Sequence, residues 1–127
     1  MNYNEINNKL KEINIEDHIW LIYIGIILLS WYSNSLERKY FLYNDSDCKA
    51  KYRQIIILIF SILVIVYIYF FQSSLDDIHS LKQTDNIKKV KLTELSSIAS
   101  LLIVISGLIF LYIAYMDQDI DVEIAFN

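Results

Sequence analysis

Two short clusters hold the side chains best suited to chemistry. Glu16-Asp17-His18 and Asp76-Asp77-x-His79 bring two histidines and four carboxylates into a chain of 127 residues. Imidazole and carboxylate together form a donor set that divalent metals accept. If the apolar run after His18 crosses a membrane, both clusters emerge on the same face. A plainer reading stands beside this one: acids at helix ends with histidines on the surface beside them. The plainer reading is adopted, so no metal and no other cofactor is expected. His18, His79, Asp76 and Asp77 remain the residues to check. No HExxH, nucleophile elbow, glycine-rich phosphate loop or cysteine pair occurs, so no catalytic residue is assigned and no enzyme is expected. Cys48 is the only cysteine. It permits no internal disulfide and leans toward a reducing compartment.

A third cluster closes the chain. In DQDIDVEIAFN, Asp117 to Asn127, the acids Asp117, Asp119, Asp121 and Glu123 alternate with Ile120, Val122 and Ile124. A period of two is a strand signal. A solvated acidic tail is the base expectation. A strand added to a partner's sheet and a weak cation site are the sharper alternatives. The glycine turn of a calcium loop is missing.

The elements that must position these groups are apolar. Ile55 to Phe71 is a run of seventeen residues, all aliphatic or aromatic except Ser61, with no charge, proline or glycine. A water-soluble helix needs a polar face, and this one has none. At 1.5 Å per residue it covers about 25 Å, close to the hydrocarbon thickness of a bilayer. Leu95 to Met116 is a second such run, about 33 Å long. It differs in carrying small residues, Ser96, Ser100, Gly107 and Ala114, the last three standing seven apart. These share a helix face, and small residues let helices approach closely in lipid. That face is expected to pack on another helix of the chain or on a second copy. Ile19 to Tyr32 is shorter, about 21 Å. It reaches spanning length only if the helix continues through Leu36. Trp20 at one end, and Trp31 and Tyr32 at the other, suit the headgroup zones.

These runs define one all-α domain over residues 1–127: a small polytopic membrane protein with spans near 19–36, 55–71 and 95–116. Residues 1–17 are expected to form a short amphipathic helix on the membrane surface, with Ile6, Leu10 and Ile13 on one side, or else a polar tail. Helix 1 is expected to run on to about Tyr43 and turn at Asn44-Asp45-Ser46-Asp47. The patch Tyr40-Phe41-Leu42-Tyr43 would then pack between the emerging helix ends. The second loop is placed at 73–91, with Ser74 as the N-cap of a short helix and an apolar stripe at Leu75, Ile78 and Leu81. The acidic tail begins at 117.

Composition agrees with a membrane class. Hydrophobic residues are 55% of the chain and mean hydropathy is +0.35, above the usual apolar share of a soluble domain. The formal charge is −4, all eleven Lys and Arg precede Thr93, and no basic block is long enough for nucleic acid. The bias toward Ile, Asn, Lys and Tyr is that of an AT-rich genome, and the general look is bacterial. Bases are nearly balanced between the two faces. Arg38, Lys39, Lys49, Lys51 and Arg53 crowd the first loop, which puts that loop and the C-terminus in the cytoplasm and the N-terminus outside. The expected location is the cell membrane.

No charge lies within a span, and proline is absent, so the broken helices and midplane charges of transporters are missing. What remains is a role carried by packing. The expected function is a non-enzymatic accessory or immunity-type protein that binds another membrane component. Its partners would be the lipid bilayer, with another membrane protein or self-association through the third span. In length and span count the chain resembles small phage holins, which implies a permeabiliser acting as a homo-oligomer. It departs from them in its acidic rather than basic C-terminus.

Overall fold

The computed structural model describes residues 2–122. Three helices account for nearly all of them: α1 (Tyr3–Tyr43), α2 (Ser46–His79) and α3 (Ile87–Met116). No strand occurs among the described residues. Each helix is long and apolar enough to cross a membrane, which is the architecture of a multi-pass membrane protein.

The helix ends follow from local side-chain chemistry. The Asn2 side chain accepts the Glu5 N–H at 2.8 Å and starts α1. At the other end Asn44 adopts φ 52°, ψ 40°, the left-handed conformation that terminates a helix and that asparagine tolerates. The next residue, Asp45, already caps α2, its carboxylate accepting the Asp47 N–H at 3.0 Å. Two residues therefore reverse the chain, and α1 ends at Tyr43 as expected. Asn86 caps α3 by accepting the Lys89 N–H at 2.7 Å.

α2 lies between the other two helices and packs on both, whereas α1 and α3 do not pack on each other. The burial patterns match this layout. α1 buries Ile19, Ile26 and Ser33, seven apart, together with Leu36. α3 buries Ser97, Val104, Gly107 and Ala114, steps of seven, three and seven. Both are single heptad seams of the kind that packs on one neighbour. α2 buries Tyr52, Ile56, Ile59, Phe60, Leu63, Val64 and Val66, which is too wide a set for one face. The main core joins Ile26 and Leu36 of α1, Tyr52 to Leu63 of α2 and Ala114 of α3. Phe60 and Phe110 meet within it at 5.6 Å between ring centroids.

Four expectations need correction. Residues 3–17 are not a separate surface helix, because α1 is continuous through Asp17. No proline or glycine interrupts it there. Ser74 caps nothing. It is buried inside α2, its hydroxyl donating to the Phe71 carbonyl at 2.6 Å, and the loop is only 80–86. The aromatic patch does not pack as a unit, since Phe41, Leu42 and Tyr43 are exposed and only Tyr40 is partly covered. Four consecutive residues wrap a full helical turn, so they cannot all face inward. The tail is not a strand as far as Val122, though Gln118, Asp119, Asp121 and Val122 are exposed as a solvated tail requires. The Asp117 carboxylate accepts the N–H groups of Asp121 at 3.0 Å and Val122 at 2.8 Å. Ile120, at φ 57°, turns back against the core. Glu123 and Ile124 of the expected alternation lie outside the described residues.

Candidate functional site

Because α1 and α3 flank α2 without meeting, a cleft opens between them with α2 as its floor. It has a volume of about 480 Å³. Trp20 and Tyr23 come from α1, Tyr67 and Phe70 from α2, and Ser100 and Ile103 from α3. At its mouth stand the carboxylates of Glu16 and Asp77. Trp20 and Tyr23 meet edge to face at 5.6 Å, which stiffens the α1 wall. A second hollow of about 490 Å³ shares Trp20, Tyr23 and Tyr67 with the first. It continues along α1 past Ile26 and Ile27 to Ser30, with Leu63 on its α2 side. Together the two make one groove, polar at the mouth and apolar below.

The mouth adjoins a third hollow, bounded by Lys88, Lys89, Asn86 and Thr93, that shares Asp77 and Ser96 with the cleft. Lys89 is paired with Asp85 at 3.2 Å. Asp85 also accepts the Lys82 N–H at 2.7 Å. That backbone bond, with the Lys89 ammonium second, holds the Asp85 carboxyl below its ordinary range.

The metal constellation does not assemble. Among the described residues no three His, Cys, Asp or Glu side chains are placed to hold an ion. His18 is exposed, and its Nδ1 donates to the Asn14 carbonyl at 2.7 Å within its own helix. Asp76, Asp77 and His79 are all exposed, and of the four only Asp77 lines the cleft. The small-residue stripe divides. Gly107 and Ala114 are buried. A Cβ at Gly107 would meet the Tyr67 ring at 3.0 Å and a Val64 methyl at 3.2 Å, so this glycine sets the approach of α3 to α2. Ser100 is half-buried and Ser96 exposed, and both line the cleft instead. Ser96 is one residue off the heptad seam, about 100° around the helix from Ser97. Trp20, Trp31 and Tyr32 are all largely exposed.

Tyr23 and Tyr67 are among the cleft residues that the sequence did not single out. Only the helix layout brings them to one wall, and no spacing within either span signals it.

The opposite end of the molecule is closed. Lys49 binds Asp119 at 3.1 Å and lies 5.4 Å over the Tyr40 ring. The bond to Asp119 raises the Lys49 ammonium pKa. The Arg53 guanidinium donates to the Tyr115 carbonyl at 3.1 Å. Asp117 is held below the usual carboxylate range by the Val122 and Asp121 N–H groups, with Arg53 adding a smaller pull. The Cys48 thiol donates to the Asp45 carboxylate at 3.4 Å. Desolvation first, then that bond and the Asp45 charge, push the thiol pKa up.

No protein-family model matches the chain, and neither a curated protein nor a solved structure is similar to it.

Proposed function

We propose that the chain is a non-enzymatic accessory or immunity-type protein of the cell membrane that acts by binding another membrane component, here read as a membrane protein. The observation that carries this reading is the N-terminal extension of α1. Beyond Glu16, where the cleft mouth lies, α1 continues for residues 3–15, about 20 Å of helix. All of it is exposed, including Ile6, Leu10 and Ile13 on one side. Inside a bilayer, exposed apolar side chains need no partner. Beyond it they do, and a stripe spaced by three and four residues fits the groove of another helix. The extension is also continuous with a span, so a contact made on it is transmitted to the cleft wall.

Arg38, Lys39, Lys49, Lys51 and Arg53 gather around the two-residue turn, and this supports a cytoplasmic first loop and C-terminus with the N-terminus outside.

Inducible expression in a bacterium, with a potential-sensitive dye, tests the function. Unchanged potential at high membrane accumulation is expected. Prompt depolarisation and growth arrest would overturn the reading in favour of a holin-like permeabiliser. A photocrosslinker at Leu10 is expected to give one discrete adduct with a membrane protein, lost when Ile6 and Ile13 are changed to Asn. Adducts only with the chain itself would sink the accessory role.

A further inference from the structure

The cleft, together with the α1–α2 hollow that continues it, has the depth and charge of a lipid site. From Trp20 to Ser30 it follows ten residues of α1, about 15 Å, which is half of the roughly 30 Å hydrocarbon core. It is therefore one leaflet deep. A transmembrane helix of a partner would need a groove twice as long. An acyl chain needs what is here: an apolar trough of Tyr23, Ile26, Ile27 and Leu63, formed by α1 and α2 and continuous with the cleft through Trp20, Tyr23 and Tyr67.

The mouth specifies a headgroup. Trp20 places it at the membrane interface, the level at which amphipathic rings settle. On one side stand Glu16 of α1 and Asp77 of α2, with Ser73 one turn before Asp77 on the same helix. On the other stand Lys88 and Lys89 in the adjoining hollow. Lys89 is engaged by Asp85, so Lys88 supplies the positive charge. Two carboxylates and a hydroxyl are acceptors, and they match a primary ammonium, which has three N–H donors. A lysine beyond Asp77 matches a phosphate. An anionic glycerol headgroup would face Glu16 and Asp77 with the wrong sign. A quaternary ammonium would bring charge but no N–H.

We propose that this groove binds one phospholipid of the phosphatidylethanolamine class, its ammonium between Glu16 and Asp77, its phosphate toward Lys88 and one acyl chain along the α1–α2 trough. This holds whichever protein the chain partners.

The two tryptophans make the test direct. Trp20 lines both hollows, whereas Trp31 lines neither of them and stands on α1 eleven residues further along, near the other leaflet. Trp31→Phe leaves a groove reporter and Trp20→Phe leaves a bulk-lipid reporter. Each variant is reconstituted in phosphatidylcholine vesicles containing brominated phosphatidylethanolamine, phosphatidylcholine or phosphatidylglycerol. Trp20 fluorescence is expected to be quenched by the brominated phosphatidylethanolamine with roughly threefold higher affinity than by phosphatidylcholine, the size a solvent-accessible ion pair supports. Trp31 is expected to show no preference. Glu16→Gln with Asp77→Asn is expected to abolish the preference at Trp20. Equal quenching by the two lipids, preference for phosphatidylglycerol, the same preference at Trp31, or a preference that survives the double neutralisation would each overturn the proposal. As a check that needs no variant, the unmodified chain released from vesicles of equal phosphatidylethanolamine and phosphatidylglycerol is weighed intact. It is expected to retain phosphatidylethanolamine, and retention of phosphatidylglycerol or of no lipid would overturn the assignment.

Discussion

At the first-loop end, two residues join α1 to α2, and the segment after α3 folds back over the start of α2 through Asp117, Asp119 and Ile120. At the other end, residues 80–86 join α2 to α3, α1 overshoots its neighbours, and α1 and α3 stand apart around the cleft. The same three helices thus make a tied end and an open end. The difference comes from what each end has to close with. The tied end has a core of Leu36, Tyr52, Ile56 and Ala114 with Ile120 against it. The open end has serines: Ser74 and Ser97 are buried, while Ser73, Ser96 and Ser100 line the cleft without filling it. The tied end is thus closed by apolar packing and the open end keeps a cleft, the arrangement expected if the proposed binding region comes from the less stable part of the fold.

The largest effect should separate the halves outright. Phe60 is 3% exposed, so Phe60→Ala is expected to cost about 3 kcal/mol or more by cavity formation. Phe70→Ala, on the half-buried cleft wall, is expected to cost much less. Unfolding in mixed micelles with a graded denaturing detergent measures both. Equal losses would mean the asymmetry is illusory.

Next comes the seam between the halves. At Gly107 even a Cβ needs Tyr67 to shift. Gly107→Leu is expected to destabilise by about 1–3 kcal/mol through overpacking, and Gly25→Leu, with nothing within 4 Å of an added Cβ, by none. Thermal melts in one detergent decide it. A Gly107→Leu variant that melts like the parent would mean that α3 does not rest on α2 through this residue.

The tail tie should be sensitive to acid. The Asp117 carboxyl is depressed in the folded chain, so it stabilises the turn above the ordinary carboxylate range, near pH 4. That contribution is lost as pH falls through the lowered folded value. Amide exchange at Asp121 and Val122 is expected to quicken only below pH 4, beyond the intrinsic pH trend, and Asp117→Asn to quicken it at neutral pH. Protection unchanged in the variant would show that Ile120 alone holds the segment.

The smallest effect is local. Asp45 raises the Cys48 thiol pKa by its bond and its charge, so Asp45→Asn is expected to speed alkylation of Cys48 by a few-fold, the thiolate being the reactive form. In intact cells the same thiol reports orientation. Protection from an impermeant maleimide is expected for a cytoplasmic first loop, and rapid labelling would reverse the topology.

Much of this fold was legible before any coordinates. The unbroken apolar run 55–71 forces a spanning helix, and Asn44-Asp45 has the side chains for a left-handed stop followed at once by a cap. Sequence reading was weaker where several residues offered the same local chemistry. Ser74 can cap a helix or donate to its own helix backbone, and only its burial inside α2 chooses between them. The alternation from Asp117 to Val122 reads as a strand, but Asp117 pairs with backbone N–H groups four and five residues on and bends the segment instead. Whether the two histidine and carboxylate clusters meet was beyond sequence for a related reason: a shared membrane face does not bring side chains within bonding distance.

The sequence by itself determined three apolar helices and the turn between α1 and α2, because hydrophobic length and capping chemistry act within a few turns of chain. Tertiary structure alone decided that α2 lies between its neighbours. α2 is apolar on every side, so its sequence does not say which faces meet protein and which meet lipid. That placement parts α1 from α3, and the groove with Tyr23, Tyr67, Glu16 and Asp77 around it exists only as a consequence.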